Sequence, residues 1–288
     1  MQARKPVWKT SSYLVYAGGL TVLVAGLAAL GYLSGHYGHG ALTAWALLIL
    51  AVLWVIADSL RLRDRWTAAG IFAFASVIAW AAFLVLAWQW FGWVKHWNSA
   101  FGGWSVAHLS LELLILAAAV NDRRRWAFPL ISLVSAVVGW FFVTDFFSNG
   151  GGWMYVVTLL VGLAYLVRWG SSDDPSAFWF HFVAGLLIGV ALLHWLHSSD
   201  FDWALISAAS LAYVAIANAT KRSSWAVYGS IGFLGATLHY LFSTAGSRTI
   251  DGVPFGVPSI SGWAPSVALA CLGFWYVLLG LAVRRRIP

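Results

Sequence analysis

Glu112 is the only glutamate in the chain and the deepest of its carboxylates in apolar sequence, flanked by Leu111 and the run from Leu113 to Leu116, with His108 four residues ahead. A spacing of four places the imidazole and the carboxyl on one helix face, one turn apart. Counted eight residues from Trp104, Glu112 falls about 12 Å below one membrane face, near the middle of a hydrocarbon core about 30 Å thick. An ionised carboxylate is costly there, so Glu112 is expected to be protonated or paired, with His108 or with a group on another helix. Two roles follow from that. It couples a proton or cation to movement across the membrane, or it ties helices together through a hydrogen bond.

The histidines are unevenly placed. His36, His39, His96, His108, His194, His197 and His239 fall at or near one end of the apolar segments, and only His181 falls at the other. Asp145, Asp200, Asp202 and Asp251 lie on the majority side, so imidazoles and carboxylates are expected to meet in a vestibule. Glu112, His108 and Asp145 are the candidates for coupling a substrate or ion. His194 and His197 share a helix face at i, i+3, while His36 and His39 belong to the loop from Ser34 to Gly40. With His239 these four are the candidate metal ligands, since imidazole suits Zn, Cu and Ni. A zinc site takes three or four protein ligands, however, and each pair supplies two. The competing account is an amphipathic ring resting at the water–lipid boundary.

These side chains need elements able to hold them in a bilayer. The chain is 61% hydrophobic and 9% charged, with a mean hydropathy of +0.80, whereas a soluble domain carries about 25% charged residues. Ten apolar segments emerge, near residues 11–33, 41–60, 66–91, 104–120, 126–147, 153–169, 177–197, 203–219, 225–243 and 263–283. Most reach the ~20 residues that span a membrane. The first is longer than the apolar core of a signal peptide and is read as a retained helix.

Fifteen of the 17 Lys and Arg residues then fall on one side, leaving Lys95 and Arg248 on the other. A missed or extra helix would swap every later loop and destroy that sorting. The basic side is cytoplasmic by the positive-inside rule, with both termini there. Trp8, Trp66, Trp126, Trp179 and Trp225 open helices leaving that side, and Trp45, Trp104, Trp153, Trp203 and Trp263 stand near the starts of those returning. Five similar hairpins with aromatic belts are expected. Trp66, Gly70 and Phe74 match Trp225, Gly229 and Phe233 in a faint same-orientation repeat. Pro129, Pro175 and Pro265 fall in or just before first turns, where no N–H is lost, and Asp58 is expected to pair with Arg61 or Arg63.

The resulting expectation is an all-α integral membrane protein of about ten transmembrane helices, a single polytopic domain over residues 1–288, in a bacterial cytoplasmic (inner) membrane. Its partners are the lipid bilayer, anionic headgroups at the basic face, and a membrane-protein partner or second copy. The basic residues are scattered between apolar runs and form no nucleic-acid surface. No nucleotide, zinc-protease, hydrolase or CxxC motif occurs, Cys271 is alone, and no motif names a cofactor. A small-solute or ion transporter is the first functional reading. A non-transporting subunit or scaffold is the second, and an outward-facing enzyme or metal or haem protein is the third.

Overall fold

The computed structural model describes residues 36–94, 105–148 and 151–243, with some positions between 17 and 33. The segment 263–283, the loop 244–262, and Trp8, Lys95, His96, Trp104, Arg248, Asp251, Trp263 and Cys271 lie outside the described residues. The elements are helices: α1 (His39–Leu62), α2 (Trp66–Trp90), α3 (Val106–Trp126), α4 (Ile131–Phe147), α5 (Gly151–Trp169), α6 (Ala177–Trp195), α7 (Asp200–Thr220) and α8 (Ser223–Ser243). No strand occurs among the described residues. Each helix overlaps one of the expected segments from the second to the ninth. Among the described residues, α1, α2, α5, α6 and α7 are long and apolar enough to cross a membrane. Large apolar side chains on their outer faces, such as Val55 and Leu160, are more than half exposed, as lipid-facing positions require.

The chain divides into two compact units, Met1–Ala191 and Leu192–Pro288. In the first, α1 packs on α2, α2 on α3, α3 on α4 and α4 on α5, and α2 also reaches α4. The sequence of α2 explains its central place. Ala68, Ala69, Gly70, Ala73, Ala75, Ser76 and Ala79 are all buried, and small side chains let helix backbones approach where lipid supplies no hydrophobic force between helices. In the second unit α7 packs on α8. The start of α7 is fixed by a capping box in which the Ser199 hydroxyl accepts from the Asp202 amide and the Asp202 carboxylate accepts from the Ser199 amide.

Two glycines of the faint repeat turn out to be points of close approach. A Cβ at Gly70 would clash with the Phe128 ring, and one at Gly229 would sit 2.6 Å from the Ser210 carbonyl oxygen. The matched tryptophans differ more. Trp225 is fully buried against Tyr213, and Trp126 is buried at the end of α3 instead of opening the next helix. Neither belongs to an aromatic belt, whereas Trp153 at 58% exposure does present its ring outward. Periodic tryptophan reports the ends of helices, but the neighbours of each end decide whether the indole meets lipid or protein.

One end of the first unit carries the arginines. Asp58 accepts from Arg125 Nη2 at 2.7 Å, while Arg61 Nε stands 3.8 Å away. Asp58 therefore has its tightest ion pair on α3, not on the Arg61 or Arg63 of its own helix end. Arg123 reaches Asp174 at 3.3 Å and lies over the Trp169 ring. These contacts join the ends of α1, α3 and α5 to the segment leading into α6.

Candidate functional site

The turn between α3 and α4 sets the height of the site. Ala127 ends α3 in the left-handed conformation, with φ 51° and ψ 31°, and its amide donates to the Arg123 carbonyl at 2.9 Å. Pro129 follows within the turn and α4 begins at Ile131, since proline is common just beyond a left-handed cap. Two packed helices leaving one tight turn place residues at equal distances from it at equal heights. Glu112 and Asp145 are each fourteen residues along their helix from that turn, about 21 Å at 1.5 Å per residue.

At that level the two carboxyl groups are near enough to act on each other electrostatically, and the His108 imidazole acts on Asp145 as well. Glu112 is 6% exposed and Asp145 1%. Oε2 of Glu112 and both carboxylate oxygens of Asp145 are buried without a hydrogen-bond partner among the described residues, as is the neighbouring Thr144 hydroxyl. Ionised carboxylates only accept, so a bond between them needs a proton on one. Beside Glu112 on α3, Leu111 and Ile115 form an apolar cluster with Leu84 of α2, backed by Trp80 and Trp88. The Ser148 hydroxyl closes the end of α4 on the Thr144 carbonyl at 2.7 Å.

The expected partner for Glu112 was His108 or a group on another helix. The group on another helix is a second acid, and His108 completes the cluster from one turn away. The described helix begins at Val106, so Glu112 lies six residues, about 9 Å, from its start.

His194 and His197 are exposed. His36 is exposed, stacks on Tyr32 and bonds the Tyr32 carbonyl through Nδ1 at 3.0 Å, and His39 begins α1. His239 of α8 stacks on Trp203 at 4.5 Å and meets Asp200 at 3.1 Å. His181 is buried, with Nε2 3.0 Å from the Trp169 carbonyl. Among the described residues no three His, Cys, Asp or Glu side chains gather to hold a metal ion.

One buried acid escaped the sequence reading. Asp122 is 8% exposed, and its Oδ1 accepts from the Asn121 amide at 3.5 Å. It stands directly ahead of Arg123, Arg124 and Arg125, where a carboxylate reads as part of a solvated, topology-setting cluster. Compared with known proteins, the chain matches no family model, no curated protein and no solved structure.

Proposed function

We propose that the protein is a small-solute or ion transporter of the cytoplasmic membrane, in which the Glu112–Asp145 pair takes up and releases the proton or cation that drives or accompanies transport. The observation that carries this reading is a pair of acids facing each other on adjacent helices with three carboxylate oxygens unpartnered among the described residues. Two negative charges in contact in a low-dielectric site repel strongly, and each buried unpaired oxygen adds a desolvation penalty. A bound proton or a small cation removes both costs at once. A purely structural tie would be built more cheaply from a hydroxyl or amide with its bonds complete.

His108, toward the nearer helix end and one turn from Glu112, supplies a relay between the pair and the vestibule expected on that side. Intramembrane acids with an imidazole neighbour suit proton transfer. Purified protein in liposomes holding a pH-sensitive dye, driven by an imposed potassium diffusion potential, is expected to carry protons faster than protein-free liposomes. Glu112→Gln should abolish the excess flux. Wild-type protein indistinguishable from empty liposomes, or a Glu112→Gln variant as fast as wild type, would remove the pair from that role.

A further inference from the structure

A second site lies at the arginine-bearing end of the first unit. Leu47, Leu50, Ala51 and Trp54 of α1, Ser76 and Trp80 of α2, and Ala118, Asn121 and Asp122 of α3 line a cleft of roughly 340 Å³. Positions 47, 50, 51 and 54 form one helical stripe, as do 76 with 80 and 118 with 121 and 122. Among the described residues, three helix faces thus leave a space between them. We infer that this cleft binds a lipophilic organic cation, with the Asp122 carboxylate as its counter-charge.

Three observations favour this occupant. The first is polarity: Asp122 is the one ionisable group among the lining residues, it is more than nine-tenths buried, and among the described residues it accepts a hydrogen bond from the neutral Asn121 amide, at a long 3.5 Å. Arg125 acts on it only at a distance, because its guanidinium is bonded to Asp58 at 2.7 Å and lies over the Trp54 and Trp126 rings, which meet edge-on. A buried carboxylate without an ion pair is costly unless a cation meets it.

The second is the walls. Leucine, alanine and indole dominate them, and indole faces attract cations as well as apolar groups. The volume falls in the range of pockets for small organic ligands.

The third is depth. Asp122 is four residues from the end of α3 and Leu47 fifteen from the end of α1, so the cleft runs from about 6 Å to about 22 Å above the arginine-bearing end. Leu47 and Trp54 at its edge are 47% and 39% exposed. A ligand entering there keeps its apolar body at hydrocarbon depth and brings its charge to Asp122. Neither Glu112 nor Asp145 lines the cleft, so occupancy by an organic cation is tested by binding alone, apart from proton flux.

The probe is tritiated tetraphenylphosphonium, measured on the full-length protein in lipid nanodiscs with protein-free nanodiscs subtracted. Wild type is expected to bind it saturably. Asp122→Asn should weaken binding at least ten-fold, and tetraphenylborate, of the same shape and opposite charge, should not compete. Ala51→Phe, at an exposed position of the cleft edge, should block binding while keeping the wild-type thermal transition. No saturable binding in wild type, equal competition by tetraphenylborate, Asp122→Asn within two-fold of wild type, or undiminished binding by Ala51→Phe would each overturn the proposal.

Discussion

Asp145→Asn separates a site held ready for a proton or cation from a structural tie between α3 and α4. Asp145 is 1% exposed with both carboxylate oxygens unpartnered among the described residues. Asparagine keeps the shape and replaces one oxygen with an N–H donor. That donor can bond the Glu112 carboxylate without any shared proton. The substitution removes the repulsion between two acids and satisfies an orphaned acceptor, each such group being worth about 1–3 kcal/mol. A gain of that size raises the thermal midpoint by roughly 2–12 °C in a domain of this scale. The assay is the unfolding temperature followed by tryptophan fluorescence in one fixed detergent and at one scan rate, because membrane proteins often unfold irreversibly and the midpoint then depends on rate. The expected result is a more stable protein with lower proton flux, the trade-off seen when a functional site carries an uncompensated cost. A fall in the midpoint would show that the acid pair holds the helices together, and the reasoning from unpartnered oxygens would be refuted.

Gly70→Ala should destabilise the protein by about 1–3 kcal/mol through overpacking, despite a helix-propensity gain of about 1 kcal/mol, because the new Cβ meets the buried Phe128 ring. Gly235→Ala, with open space around it, should cause no loss, and denaturant titration of the two variants checks the contrast. Thr158→Val removes the acceptor that Trp140 Nε1 reaches at 3.0 Å in a site where Thr158 is 1% exposed. A cost of about 1 kcal/mol is expected, and a double-mutant cycle with Trp140→Phe should show coupling between the two positions. Ser199→Ala breaks the capping box of α7 and should cost about 1 kcal/mol, seen as faster amide hydrogen exchange confined to the first turn of that helix.

The presence and order of the helices across the described residues were legible from the chain, because lipid imposes a length and an apolar composition on spanning segments. Their extent was less so: α3 runs on to Trp126 where the apolar run ended near residue 120, and α4 begins only at Ile131. Glu112 was legible for a related reason: a lone carboxylate among leucines stands out without any knowledge of its neighbours. Its pairing was not. Glu112 and Asp145 are 33 positions apart in sequence, and only the tight turn at Ala127–Pro129 sets them level. Asp122 was hidden by its own context, since a carboxylate beside three arginines looks solvated until α1 and α2 pack over it. Trp126 and Trp225 illustrate the same division. Their positions at helix ends follow from sequence, but burial depends on which helix lies alongside. Hydropathy and charge are sums over residues and can be read along a chain, whereas contact is a property of pairs and exists only once the helices have packed.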